Sequence, residues 1–310
     1  MKSSSRRDFL TTTAAALPFS LAAAARGADP SPFRLAVTTD EIDDDLTVAL
    51  DFLRRFGLKH CEIRQLWGRY NTSWPLPKIR YARNLLDDAG IQLAILDTSF
   101  FKVKLPRMDT VDGSQSLREQ WDLLKWAFER ADVLGTDLIR VFGFMHAKGG
   151  QPDEAAYPRI YDLIEEATER AAKAGFRLAL ENVADSYVAT AAHSAKLLNA
   201  VRSPALGLTW DPNNSARAGD PEPFPAGYNS LDSKRILHVH VRDYRRQADG
   251  PVEWCGVGDG EFDHVGQLRA LQRDGYGGSV SLETHFTING SKAKASEHSL
   301  KGLLKAVAQV

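Results

Sequence analysis

Cysteine is scarce in this chain. The 310 residues contain only Cys61 and Cys255. Two cysteines exclude a disulfide framework and a metal site built from thiolates, because each of these needs more sulfur ligands. The sequence leaves open whether the two form one bridge or stay reduced. We therefore expect the stability of the fold to come mainly from a buried core, which a chain of this length can supply.

An excess of positive charge is also missing. The formal net charge is −1. Residues 1–28 hold four of the 39 Lys and Arg and one of the 40 Asp and Glu, which leaves 35 basic and 39 acidic residues in the rest of the chain. Nucleic-acid binding depends on clustered Lys and Arg that neutralise phosphates. We therefore predict no nucleic-acid partner.

Long hydrophobic runs are missing as well. The mildly apolar stretch 11–25 is short and rich in alanine, so we predict no stable membrane span in the mature protein. It follows SRRDFL (5–10), which resembles a twin-arginine export signal, and small residues near 25–28 suit signal cleavage. The resemblance implies a signal peptide over 1–28, the twin-arginine export machinery as a partner, and a periplasmic or other location outside the cytoplasmic membrane. The alternative is a disordered tail that contains Arg-Arg by chance.

After residue 30, short apolar runs alternate with longer amphipathic stretches, which indicates parallel β/α units. Eight units in about 280 residues predict one (β/α)₈ TIM barrel over residues 32–310. A doubly wound open sheet is the alternative, but the GxGxxG motif that would favour it does not follow the first strand. The strands are predicted at 34–39, 60–65, 92–98, 138–144, 177–183, 206–212, 236–243 and 279–285. The helices are predicted at 44–56, 77–89, 115–134, 154–174, 191–200, 263–273 and 296–308.

The seventh strand, ILHVHVRD (236–243), alternates apolar and polar residues. In a barrel the apolar face meets the helices, so Leu237, Val239 and Val241 should point outward, and His238 and His240 inward. The same parity turns one acid inward at the end of each of three other strands. These acids are Glu181, Asp211 and Glu283. We expect them to converge with His240 at the C-terminal mouth, where barrel active sites lie.

Three carboxylates at one point would repel each other and raise each other's pKa. A divalent cation removes that cost, and an oxygen-rich set with one imidazole suits Mn²⁺, Mg²⁺, Co²⁺ or Zn²⁺. Glu181, Asp211, His240 and Glu283 are therefore predicted to hold one divalent metal ion. The alternative is that each acid pairs with an arginine or lies in solvent.

Five segments together resemble the xylose isomerase-like TIM-barrel proteins, which include sugar and sugar-phosphate isomerases and epimerases. They are LALENV (178–183), LTWDPNN (208–214), LHVHVRD (237–243), GVGDGEFD (256–263) and SLETH (281–285). The resemblance implies the same four metal ligands. The sequence departs from the family pattern at Asn214, where several epimerases carry a histidine.

Other residues near the predicted mouth are candidates for substrate binding: Glu62, Arg140, His146, Asn214, Arg246, Trp254 and His285. A salt bridge within the barrel is the alternative for Glu62 and Arg140, and a solvated loop is the alternative for His146. Asp243 is expected to orient a ligand or an arginine from behind. His238 is expected to be a hydrogen-bonded core histidine.

The predicted metal site suggests proton-transfer chemistry. Glu181 and Glu283, on opposite sides of a sugar or keto-sugar, would remove and return a proton through an enediolate, as an isomerase or epimerase does. A lyase or dehydratase acting on a keto-sugar, keto-inositol or oxidised glycoside is the second interpretation. A non-catalytic sugar-binding barrel is the third. A homo-oligomer is left open.

Overall fold

Eight parallel strands close into a barrel, as the sequence predicts. In chain order they are β1 (Arg34–Val37), β2 (His60–Ile63), β3 (Gln92–Asp97), β4 (Leu138–Val141), β5 (Arg177–Glu181), β6 (Leu206–Trp210), β7 (Ile236–Val241) and β8 (Ser279–Leu282). Each pairs with its neighbours in the chain, β8 pairs with β1, and a bridge between Thr38 and Glu62 closes the ring. This computed structural model describes residues 32–107, 109–247 and 252–310. The predicted signal segment lies outside the described residues.

The helices follow the strands around the outside. They are α1 (Leu46–Arg55), α2 (Leu76–Ala89), α3 (Val111–Leu134), α4 (Tyr157–Ala174), α5 (Ala191–Ala200), α6 (Pro212–Arg217), α7 (His264–Arg273) and α8 (Lys292–Val307). All of them except α2 and α4 begin at a side chain that accepts a hydrogen bond from a free backbone N–H group. Thr110 caps α3 and Ser291 caps α8, so both helices begin four residues before the predicted positions.

The core lies mainly between the strands and the helices. Val239 and Val241 point outward into it, as predicted, but Leu237 does not. The pairing of β6 with β7 skips one residue: Leu208 lies opposite Ile236, whereas Thr209 lies opposite His238. This β-bulge leaves Ile236 in the outer core. Leu237 instead packs inside the barrel against Ile95, Leu138 and Ala179.

Two antiparallel hairpins follow barrel strands. One joins Gln65–Leu66 to Arg69–Tyr70, and the other joins Asp243–Arg245 to Glu253–Cys255. The second hairpin carries Trp254. Cys61 and Cys255 are both free thiols, so the structure contains no bridge between them. Within the described residues, no helix is both long and apolar enough to cross a membrane.

Candidate metal centre and active site

Four side chains meet at the C-terminal mouth of the barrel: Glu181, Asp211, His240 and Glu283. One ligand atom from each lies within 4.8 Å of the others, and all four residues are buried. Nδ1 of His240 lies 3.2 Å from Oε1 of Glu181 and 3.4 Å from Oε2 of Glu283. The convergence follows from the parity of the strands, since each residue belongs to the inward face at or just beyond the end of β5, β6, β7 or β8.

The orientation of His240 is set from below by Glu62. Oε1 of Glu62 lies 3.0 Å from Nε2 of His240, and Oε2 lies 2.9 Å from Nε2 of His238. A carboxylate accepts hydrogen bonds, so Glu62 favours a proton on Nε2 and makes Nδ1, which faces the acids, the nitrogen available to a cation. Glu62 is fully buried in this interaction. Glu62, a predicted candidate for substrate binding, thus lies beneath His240 and pairs within the barrel with His238 and His240.

The two carboxylate oxygens of Asp211 make different contacts. Oδ1 caps the short helix α6 by accepting from the backbone N–H of Asn213 and Asn214, at 3.0 and 2.8 Å. Oδ2 faces the cluster. The side-chain amide of Asn214 donates to this oxygen at 2.9 Å and to Oε1 of Glu181 at 3.1 Å. Asn214, predicted as a substrate contact, thus holds two of the candidate ligands at a fixed separation.

Three arginines surround the acids. Nη1 of Arg140 lies 2.9 Å from Oε2 of Glu181 and also contacts Asp97, which makes it a buried salt bridge within the barrel and not an exposed substrate contact. Nη2 of Arg242 contacts Asp211 and lies 2.6 Å from Oε2 of Glu283.

The third arginine, Arg64, donates to the other Glu283 oxygen at 2.6 Å and also pairs with Asp40 and Glu41. Sequence reasoning missed Arg64 and Arg242. The signal was available for both, since each lies two residues beyond a residue already assigned to the inward face, Glu62 and His240.

The charges in the cluster shift the pKa values of its members away from their usual values. Burial disfavours the charged form of His240, but Glu62, Glu181 and Glu283 outweigh burial and raise the pKa of this histidine well above its usual value. Burial would raise the pKa of Glu181, but Arg140 and His240 lower it to about 2. Burial raises the pKa of Asp211 despite the nearby Arg242.

Buried carboxylates need positive charge nearby, and Arg140 and His240 supply it to Glu181. Three carboxylates and one imidazole, whose Nδ1 gives up its proton when a cation binds, form a donor set that fits a divalent metal ion. In this structure Arg242 supplies positive charge to two of the same carboxylates. A metal ion would therefore share Asp211 and Glu283 with this guanidinium or displace it.

Above the cluster, Trp254 and His285 line the entrance. The two rings are stacked with their centroids 6.4 Å apart, and the guanidinium of Arg242 lies 4.8 Å from the centroid of the Trp254 ring. Nε2 of His285 lies 3.0 Å from Oε1 of Glu283, and the His285 side chain is 32% exposed. Their role in substrate binding stays a prediction, and both residues lie within reach of a molecule bound above the cluster.

Three predicted residues lie away from the cluster. Arg246 is exposed and pairs with Glu261 at 3.2 Å. His146 lies in the loop after β4, where Nδ1 is 2.9 Å from the Ala147 carbonyl oxygen. Asp243 contacts no candidate ligand or arginine in the described residues: it accepts hydrogen bonds from backbone N–H groups, mainly of the loop that follows the second hairpin, and its Oδ2 lies 3.2 Å from Nε2 of His264.

That loop is the GVGDGEFD segment (256–263). Oδ2 of Asp243 accepts from the N–H groups of Gly258 and Gly260, at 2.9 and 3.1 Å, and Oδ1 accepts from Phe262. A Cβ atom at Gly260 would collide with Oδ1 of Asp243, so glycine is required at this close approach. Asp243 therefore fixes a loop and not a ligand, because its carboxylate is surrounded by backbone donors.

The sequence of this chain is similar to those of a known protein family and of several enzymes. A family model described as xylose isomerase-like TIM barrel matches residues 50–306. A 3-dehydroshikimate dehydratase of Pseudomonas putida is 28% identical over 255 residues, which cover 80% of this chain and 37% of that enzyme. A mannonate dehydratase of Saccharophagus degradans is 38% identical over 231 residues, covering 66% of this chain and 55% of the other. The chain thus spans about two fifths to just over half of the length of these relatives.

Solved structures share the fold. An IOLI protein with a bound zinc atom superposes with a TM-score of 0.71 at 19% identity, covering 89% of this chain and 98% of the other. An L-ribulose 3-epimerase superposes with a TM-score of 0.68 at 15% identity, covering 89% of this chain and 96% of the other. Proteins similar to this chain therefore include both dehydratases and epimerases.

Proposed function

The chain belongs to the xylose isomerase-like TIM barrel family, and from that premise we propose that it is a metal-dependent enzyme acting on a sugar or keto-sugar. The reaction begins with removal of a proton from the carbon next to a carbonyl group. The observation that carries the proposal is the pair Glu181 and Glu283, which flank Nδ1 of His240 at 3.2 and 3.4 Å. Two carboxylates around one imidazole nitrogen offer both a cation site and two proton-transfer groups.

Glu181, Asp211, His240 and Glu283 would hold the metal ion, which when bound would polarise the substrate carbonyl and acidify the neighbouring C–H. Glu181 or Glu283 takes the proton from carbon, and the electron pair moves to the carbonyl oxygen. Return of a proton to the opposite face of the same carbon gives the epimer. Return to the former carbonyl carbon, with a hydroxyl proton moving between the oxygens, gives the isomer.

Dehydration is the second candidate, and the surroundings of Glu283 favour it. Arg64, Arg242 and His285 all contact this carboxylate, and its pKa is well below the usual value because Arg242 and His285 outweigh burial. A carboxylate held as an anion is a weak proton donor. After Glu181 removes the proton, the electron pair would form a C=C bond, and the partly exposed His285 would protonate the departing hydroxyl group to give water.

Solvent isotope exchange separates these reactions. The metal-loaded protein is incubated in D₂O with a panel of keto-sugars and sugar acids, and products are followed by NMR. We expect an epimer or isomer that carries deuterium at the reacting carbon. An unsaturated keto product without an epimer would support the dehydratase instead. Sugar binding with neither exchange nor product would contradict both and would support a binding barrel.

A further inference from the structure

A second concave region lies beside the mouth of the barrel. It is a cleft of about 420 Å³ formed by the loops after β4 and β5 and by the end of α6. Its lining includes His146, Lys148, Asp185, His193 and Arg217. A cleft of this size accommodates a small organic group.

Positive charge dominates this cleft. Neither Lys148 nor Arg217 forms an ion pair with any other residue in the described part of the chain. The single acid of the lining, Asp185, uses Oδ1 to accept a hydrogen bond from the backbone N–H of Gly149 at 2.8 Å. Its carboxylate thus fixes the loop that carries Lys148, and two cationic side chains are left to face the cleft.

Trp254 connects this cleft to the metal centre. The guanidinium of Arg217 lies 5.5 Å from the centroid of the Trp254 ring, and that of Arg242 lies 4.8 Å from it. Arg242 in turn contacts Asp211 and Glu283. A substrate bound at the metal centre could therefore extend across the indole ring and reach Arg217.

We propose that the cleft is a subsite for an anionic group, a carboxylate or a phosphate, on the part of the substrate that extends beyond the reacting carbon. This inference rests on the proposed function, because it assumes that the reacting carbon lies at the metal centre. Arg217 forms a bidentate hydrogen-bonded pair with the anion, and Lys148 adds a second charge from the opposite loop.

Kinetics with matched substrates test the subsite. Three keto-sugars are compared that differ only in a distal substituent: a hydroxymethyl group, a carboxylate or a phosphate. Arg217→Gln and Lys148→Gln should each raise the KM for the preferred anionic substrate about tenfold and leave its kcat unchanged. The KM for the neutral substrate should not change. Arg118→Gln, on the exposed side of α3, is the matched control and should leave all three substrates unaffected.

A binding measurement keeps the subsite separate from the reaction. Glucuronate and inorganic phosphate are titrated while tryptophan fluorescence is followed, and Trp254→Phe assigns the signal. Loss of the response in Arg217→Gln supports the subsite, and the stronger of the two probes identifies the anion. If that response is found without turnover of any substrate, the proposed function fails and the subsite stands. If turnover occurs and the Arg217→Gln and Lys148→Gln variants change the KM of charged and neutral substrates by the same factor, the proposed subsite is overturned.

Discussion

The carboxylate of Glu62 lies 3.0 Å from Nε2 of His240, on the side of the ring opposite the three acids. This contact decides which nitrogen carries the proton. An acceptor at Nε2 holds the proton there and leaves Nδ1 free to bind a cation. Glu62 is thus a positioning residue for the candidate metal ligand.

We expect Glu62→Gln to weaken metal binding about 10- to 100-fold, because the amide can donate to Nε2 and shift the proton to Nδ1. Metal affinity measured by calorimetry tests this. His238→Gln, which alters the other partner of Glu62, should have a smaller effect. Equal metal affinity in native protein and Glu62→Gln would show that the tautomer of His240 does not matter.

Glu283→Gln should abolish turnover, with a loss of at least about 10²-fold, because the amide cannot accept a proton. It should weaken metal binding less than Asp211→Ala does, since glutamine keeps one oxygen ligand. Activity and bound metal are measured together on both variants. Retained activity in Glu283→Gln would restrict this residue to ligation.

The parity of the strands, and with it the convergence of the four residues, could be predicted because a period of two assigns every residue to a face. The same rule misplaced Leu237, because the β-bulge next to it shifts the register by one residue. Nothing in the local pattern of 236–243 marks that bulge.

The pairing of the arginines could not be predicted in the same way. Parity places Arg242 on the inward face, but the long side chain could reach solvent, substrate or the acids. Only the three-dimensional arrangement shows that it contacts Asp211 and Glu283. The acids thus converge on one point, arginines pair with them, and the binding of a metal ion there stays a prediction.

Arg242→Met should destabilise the metal-free protein, because Asp211 and Glu283 lose a buried cationic partner. Removing one partner of a buried ion pair costs about 3–5 kcal/mol. Thermal unfolding is measured with chelator and with added Mn²⁺. The rise in Tm on adding metal should be larger in Arg242→Met than in native protein, since the metal no longer competes with the guanidinium. The same rise in both proteins would mean that Arg242 and the metal do not share these acids.

Burial would raise the pKa of Asp243 in the folded protein, but the nearby His264, whose Nε2 lies 3.2 Å from Oδ2, and the backbone N–H donors outweigh burial and lower this pKa. A lowered pKa contributes stability that is present above the unfolded value of about 3.8 and is lost as pH falls through the folded value. Asp243→Asn should therefore lower the free energy of unfolding at pH 7 by about 1–3 kcal/mol. The difference from native protein should shrink below pH 4.

Urea unfolding at several pH values checks this prediction, and hydrogen exchange should quicken at residues 258–262 of the variant. Asp259→Asn is the control: this residue belongs to the same loop but is exposed and pairs with His298. A native–variant difference that does not vary with pH would assign the role of Asp243 to packing.

The last prediction concerns export. We propose that Arg6 and Arg7 direct the protein across the cytoplasmic membrane, and that it acquires its metal before crossing, because twin-arginine signals serve proteins exported in the folded state. A site of carboxylates and one histidine has little intrinsic selectivity, since divalent affinities rise from Mn²⁺ towards Cu²⁺. Loading inside the cell, where the metal supply is controlled, would allow a weaker-binding metal to occupy the site.

Replacing both Arg6 and Arg7 by lysine should retain an active, metal-loaded precursor in the cytoplasm, as measured by fractionation and metal analysis. Normal export of the double variant, or a retained precursor that is folded but metal-free, would contradict this proposal.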